Sequence, residues 1–212
     1  MDRMGGFRVV FSSGDLPRHV ADELIAKENG NVGIDIETSG LNFRNDKIGS
    51  IQVFDGVDAV YIIRPPFKTV VPNLNAVIES EKTRKIFHHA MFDLRFLAFQ
   101  LEVKPKNIQC TKIAAKIVIP DLEKSSLVNI IQRYLGLSLD KGQQQSNWME
   151  DALTPDQVLY AVKDVIYLPR IRNLLMKEAG EKRCRSLVLK SFEYIPTRVA
   201  LDISGQGDVF IY

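Results

Sequence analysis

The run VGIDIETSGL at residues 32–41 constrains the fold more than any other part of the chain. Its start, VGIDIET, is apolar enough to read as a buried strand, yet it carries two carboxylates. Residues i and i+2 of a strand point to the same face, so Asp35 and Glu37 stand side by side at about 7 Å or less. An ionised side chain in apolar surroundings is costly unless something neutralises it. Like charges this close push one pKa upward unless a cation intervenes. A divalent metal is the simplest such cation, because Mg²⁺ and Mn²⁺ take hard oxygen ligands from a few carboxylates and from substrate phosphates. The alternative for this pair alone is a structural ion pair with Arg or Lys.

Two further acids sit in apolar runs, Asp93 in FHHAMFDLRFL and Asp164 in YAVKDVIYL. Thr154, Pro155 and Gln157 mark a helix start, with a cap, a favoured first residue and a capping-box partner. On that helix Tyr160 and Asp164 are four residues apart and share a face. A phenol with a pKa of about 10 is a poor base at neutral pH. A metal beside it lowers the pKa of bound water, and Tyr160 would then orient that water and accept its proton. Taken alone, Tyr160 reads as a packed aromatic with a satisfied hydroxyl. Pro169 should bend or end the helix, since it lacks the backbone donor.

At 212 residues, with 45% hydrophobic and 25% charged, the chain suits one α/β domain with a full core. Strands are expected at Phe7–Phe11, Asn31–Glu37 and Arg84–Phe87, with a hairpin from Lys47–Phe54 and Asp58–Ile63 through Asp55-Gly56. Ile108 and Gln109 read as another short strand. Helices are expected up to about Lys27, capped by Ser13 or Asp15, and over Val71–Glu79. More follow over Ala90–Gln100, from Thr111, over Ser126–Leu135 and from Pro155. Phe92, Phe96 and Phe99 fall near one face of their helix. Strands lead and helices crowd the second half, which suggests a mixed sheet flanked by helices in a single domain, residues 1–212.

Net charge is only +2, which argues against a general electrostatic coat for nucleic acid but allows a local basic patch beside an acidic site. Two cysteines, Cys110 and Cys184, cannot make a disulfide framework and fit a reducing compartment. The N-terminal stretch lacks the apolar core of a signal peptide, and no run approaches the ~20 apolar residues of a membrane helix. The expectation is a cytoplasmic protein with no membrane contact.

The order DIE, then HHAMFDLRFL, then YAVKD resembles the DEDD exonucleases, and the tyrosine before the last aspartate resembles the DEDDy branch that includes ribonuclease D. The likeness runs from about Val32 to Leu175. It takes in TKIAAKI, LVNIIQRYLGLSL and DKGQQQSNW. It implies a ribonuclease-H-like fold and 3′→5′ hydrolysis with two divalent ions, Mg²⁺ or Mn²⁺, held by Asp35, Glu37, Asp93 and Asp164. GDLP, CTKIAAK, KGQQQSNW and FEYIPTRVALDI narrow the likeness to nanoRNase C, a compact DEDDy family that finishes very short RNAs. That resemblance implies short RNA as substrate, diribonucleotides above all, and a homo-octameric ring. It also matches Leu41 to the leucine that wedges between the two bases of a dinucleotide. Rival readings are ribonuclease D-like trimming of structured RNA, digestion of DNA, and a catalytically silent nucleic-acid-binding domain. Retention of all four acids and Tyr160 speaks against the last.

The remaining candidates each carry a plain alternative. His88 and His89 have no Cys or His partner at zinc spacing; one is expected to meet a phosphate, the other to be a satisfied core histidine. Phe92 either stacks on a base or packs in the core. Gln145 and Ser146 either hydrogen-bond phosphate or ribose, or shape a loop. Trp148 is a substrate contact or a core anchor at a helix start. Lys182, Arg183 and Arg185 read as a solvated face. The tail, about 186–212, is rich in apolar residues such as Phe192, Tyr194, Ile195 and Phe210. It either folds back on its own domain or serves contacts between subunits.

Overall fold

In the computed structural model every residue is described except 1, 5, 29, 123, 140, 141, 144 and 212, together with the side chains of 2 and 3. Asp140, Lys141 and Gln144 of the DKGQQQSNW segment, and Tyr212 of the tail, therefore lie outside the described residues.

Among the described residues, seven strands form one mixed sheet: β1 (Asp2–Met4), β2 (Phe7–Ser13), β3 (Asn31–Thr38), β4 (Ile48–Phe54), β5 (Ala59–Arg64), β6 (Arg84–Phe87) and β7 (Ile108–Cys110). Their spatial order is β1-β2-β5-β4-β3-β6-β7. The β3–β4 and β4–β5 pairs are antiparallel, while β3–β6 and β6–β7 are parallel. The acid-bearing strand is thus central. The Asp55-Gly56 hairpin is present, with the Asp55 carboxylate accepting from the backbone N–H groups of Val57, Asp58 and Ala59. The short β1, not expected from the sequence, pairs antiparallel with β2.

The helices are α1 (Arg18–Ala26), α2 (Pro72–Glu79), α3 (Ala90–Gln100), α4 (Thr111–Val118), α5 (Leu127–Leu135), α6 (Pro155–Ile166), α7 (Leu168–Glu181) and α8 (Arg185–Ile203). Strand alternation divides the core between the two faces of the sheet. Ile34, Ile36, Ile51, Val53 and Ile63 pack with Val20, Leu24, Leu74 and Val77 of α1 and α2. Phe54, Val60 and Ile62 pack with Val158, Ala161, Val162 and Val165 of α6. Gly33 is what lets α6 lie so close. A Cβ there would sit 2.5 Å from the Val165 carbonyl oxygen.

Helix caps needed one correction. Asp15 does not cap α1, whose N-cap is Pro17 with no side-chain bond. Its carboxylate instead accepts from the backbone N–H groups of Asn73 and Leu74, capping α2 across the fold. Sequence adjacency pointed to the nearest helix; tertiary folding brought a different helix start to the same acid. Ser13 ends β2. Thr154 and Gln157 form the expected capping box on α6. That helix ends at Ile166, and Pro169 lies in the first turn of α7, where its missing N–H costs nothing.

Phe92, Phe96 and Phe99 do not share one environment: Phe96 is core, Phe92 half-buried, and Phe99 exposed beside Phe43. The tail folds onto its own domain over most of its length. Phe192, Ile195 and Val199 of α8 are buried, leaving Val209, Phe210 and Ile211 exposed. Lys182, Arg183 and Arg185 are exposed, although Lys182 Nζ also reaches the Val118 carbonyl and Glu178.

Candidate active site

Asp35 and Glu37 rise from the same face of β3, as the strand period requires. Asp164 comes from α6, which lies over β3 and β4. One oxygen of each of these three carboxylates lies within 4.8 Å of the other two. Asp93, in the first turn of α3, sits deeper, and its Oδ1 accepts from the Ile36 N–H at 3.2 Å. None of the ion pairs among the described residues includes any of the four acids. The structural ion-pair alternative is therefore not what the chain builds.

Burial and mutual repulsion shape their protonation. Burial, then the charges of Asp164 and Asp93, push Glu37 up to about 9. Burial raises Asp93 and Asp164 each to about 7. Asp35 is raised by burial and by all three other acids. Tyr160 and Asp164 line the same cleft one turn apart on α6, and burial together with the acid charges holds the phenol well above its ordinary range. Hard oxygen donors that repel one another fit a divalent cation such as Mg²⁺ or Mn²⁺.

The cluster lines a cleft of about 540 Å³. Leu41, 84% exposed, stands in its wall, and Phe92, His89, Gln145 and Ser146 also line it. His88, a candidate substrate contact, also lines the cleft, but the two histidines have different surroundings. His88 Nε2 lies 3.1 Å from the Ser125 carbonyl, which can only accept, so Nε2 carries the proton. Nδ1 then accepts from the Thr111 hydroxyl at 2.8 Å. With both nitrogens engaged, His88 is the satisfied one, and burial with Lys112 pushes it down to about 3. His89 is exposed and stacks near Phe92, at 6.3 Å between ring centroids. Its backbone is left-handed at φ 107°, a cost a non-glycine residue tends to carry at functional positions.

Trp148 is the anchor rather than a contact in the cleft. It is 1% exposed, packs within the α6 cluster at 6.1 Å from the Tyr160 ring, and does not line the cleft. The anchor reading holds because Arg64 donates to the Trp148 and Gly49 carbonyls, at 2.9 and 2.7 Å, and pins the segment over the sheet. The Ser146 hydroxyl is spent inside its loop, donating to the Gln143 carbonyl at 2.9 Å. Lys112 was missed. It lines the cleft from the second position of α4, and its charge lowers both histidines. Its lysine lies within the CTKIAAK run, but nothing in helical spacing alone separates it from a solvated surface lysine.

The pattern of the 3′-5′ exonuclease family matches residues 10–179. Ribonuclease D of Haemophilus influenzae is 30% identical over 158 residues, 74% of this chain and 39% of that protein. The chain thus spans about two fifths of the length of the ribonuclease D relatives it matches. The structure of Brucella melitensis NrnC bound to pGG superposes with a TM-score of 0.87 at 30% identity, covering 97% of this chain and 99% of that one. The same protein with bound Mg²⁺ gives 0.86 at 29% identity, covering 97% and 100%. The fold is the ribonuclease-H-like mixed sheet with flanking helices that the sequence resemblance implied. The acids that converge on β3, α3 and α6 thus lie in a chain matched over most of its length, and the chain belongs to the 3′-5′ exonuclease family.

Proposed function

We propose that the chain is a DEDDy 3′→5′ exoribonuclease that hydrolyses very short RNAs, diribonucleotides above all, to nucleoside 5′-monophosphates. The observation that carries this reading is the convergence of Asp35, Glu37 and Asp164 within 4.8 Å, with Tyr160 one turn before Asp164 in the same cleft. Asp35, Glu37, Asp93 and Asp164 would hold two Mg²⁺ or Mn²⁺ ions, which supply a nucleophilic water at neutral pH and neutralise charge at the leaving 3′ oxygen. Tyr160 stands in the same cleft, where the lone pairs of its hydroxyl oxygen would accept from the attacking water and orient it. Lys112 and His89 stand in the cleft wall where phosphate oxygens would lie.

Short substrates are supported by three features. The cleft volume falls in the range of small-ligand sites, about 300–1,000 Å³. Leu41 projects into solvent at its wall, where it would wedge between two bases. The similar NrnC structure carries pGG. The test compares turnover of two-nucleotide and longer RNAs, with Mg²⁺ and with chelator. Turnover falling with length, and lost in chelator, is the expected result. Leu41→Ala should weaken the dinucleotide more than longer RNA. Length-independent turnover would return the enzyme to ribonuclease D-like trimming, and full activity in chelator would remove the metal reading.

We also propose a homo-oligomer, an octameric ring. Val209, Phe210 and Ile211 supply exposed apolar surface for it at the chain end. Light scattering decides this, since a monomer at micromolar concentration would refute it. Cys110 and Cys184 are both free, which suits the cytoplasmic location we propose. No helix among the described residues is long and apolar enough to cross a membrane.

A further inference from the structure

Gln157 has a second set of bonds besides its capping role. Its Oε1 accepts from the Thr154 N–H at 2.9 Å, which fixes the orientation of the amide. Its Nε2 then donates to the Ser146 hydroxyl and to the Asn147 carbonyl, both at 3.0 Å. Both amide hydrogens are therefore spent on the loop that contributes Gln145 and Ser146 to the cleft wall. The residue is buried, so water does not compete for these bonds. Gln157 sits one turn before Tyr160 and two turns before Asp164 on α6, so all three side chains lie toward the same side of the helix. Among the described residues, the other side-chain bonds of Ser146 and Asn147 stay within the segment, to Gln143, Met149 and Glu150. Arg64 holds the Trp148 and Glu150 carbonyls at its far end, but neither residue lines the cleft.

We infer that Gln157 is a positioning residue, which holds the substrate-facing loop at 145–147 in register with the helix carrying Tyr160 and Asp164. The inference rests on the exonuclease reading above and adds how one wall of its cleft is aligned. A pure helix-capping role makes a different forecast, because the two functions of Gln157 use different atoms. Gln157→Glu keeps an acceptor for the Thr154 N–H, and Glu suits that capping-box position. It loses both donors, and its carboxylate faces the Asn147 carbonyl oxygen. Thr154→Ala does the reverse: it removes the cap from Gln157 N–H and leaves the tether intact.

The experiment measures kcat, KM and Tm for the full chain and both variants, with Mg²⁺ and a diribonucleotide. Gln157→Glu is expected to raise KM about tenfold, the equivalent of about 1.4 kcal/mol, and to lower Tm as well, because a buried carboxylate then faces a carbonyl oxygen with both donors gone. Thr154→Ala should lower Tm and leave KM in place. Gln157→Met, similar in volume and uncharged, repeats the KM measurement if the glutamate variant does not fold. An unchanged KM in the Gln157 variants, or an equal KM rise in Thr154→Ala, overturns the inference while the parent remains active. A parent chain with no metal-dependent hydrolysis overturns the exonuclease reading instead.

Discussion

Lys85 on β6 and Asp35 on the adjoining β3 both carry an ionisable group away from solvent, yet they are treated differently. Lys85 is fully buried, and its Nζ donates to the carbonyls of Ser80 and Thr83, the latter at 2.8 Å. Those carbonyls close the turn between α2 and β6. Burial pushes the lysine down to about 7, but its hydrogen-bonding demand is met by the chain itself. Asp35 and its three neighbouring acids face one another instead; burial raises all four, and repulsion adds to the rise at Asp35, Glu37 and Asp93. A buried charge whose partners are internal belongs to the fold. Buried like charges without internal cations mark a place where the fold is held against its own electrostatics, which is typical of functional sites.

The largest effect that could break this contrast is loss of an acid. Asp35→Asn and Asp164→Asn should each lower RNA hydrolysis by about 10³-fold or more, the scale of removing preorganised charge from a reacting centre. Both should melt at or above the parent temperature in chelator, because each removes repulsion. A variant that loses stability and keeps activity would show that the cluster is structural. Next comes Tyr160→Phe, which keeps the ring beside Trp148 but loses the hydroxyl. Single-turnover rates should fall by about 10²-fold or more, with dinucleotide affinity little changed. Lys85→Met should do the opposite of the acid variants. It leaves the Ser80 and Thr83 carbonyls unpaired, costing about 1–3 kcal/mol in denaturant unfolding, and hydrolysis should stay at the parent rate.

The smallest effect is in pH, where the two regions pull in opposite directions. A group whose pKa is raised by folding adds stability that is complete below its unfolded value, about 4 for a carboxyl, and is lost as pH climbs through the folded value. Glu37 lies at about 9 and Asp93 and Asp164 at about 7. Metal-free protein should therefore lose stability as pH rises from about 4 toward 7, and further toward 9. Lys85, lowered to about 7, carries a full burial cost below that pH. The cost is relieved as pH rises toward about 10.5, the value of a free lysine. Tm in chelator should thus fall most steeply between about pH 4 and 7 and level off above, where the relief at Lys85 offsets the continuing loss at Glu37. Added Mg²⁺ should flatten the fall. A Tm independent of pH in chelator across that interval would mean the acids do not share their charge.

What could be read from the sequence followed from local periodicity. Asp35 and Glu37 on one face of a strand, and Tyr160 and Asp164 on one face of a capped helix, need only the strand and helix repeats. The central position of β3 follows less directly, because pairing order is not local. Asp15 shows the limit: a good capping residue was legible, but the helix it caps lies more than fifty residues away in the chain. His88 and His89 show another. Two adjacent histidines are equivalent in sequence, and only the folded chain, with its left-handed turn at His89, engages both nitrogens of one ring and leaves the other exposed. Trp148 looked like either an anchor or a contact until Arg64 was seen to hold its carbonyl. Lys112 needed the assembled cleft to distinguish it from other surface lysines.

Gly33 restricts how this enzyme can drift. It lies two residues before Asp35 on β3, and a methyl group there would meet the carbonyl of Val165, the neighbour of Asp164, at 2.5 Å. Any replacement pushes α6 off the sheet and separates Asp164 from Asp35 and Glu37. The damage would be a matter of gauge: each acid would survive, the chain would retain its hydrophobic surfaces, and the spacing on which shared ligands depend would widen. Substitution at a position with no functional group of its own can therefore silence the site as surely as loss of a carboxylate.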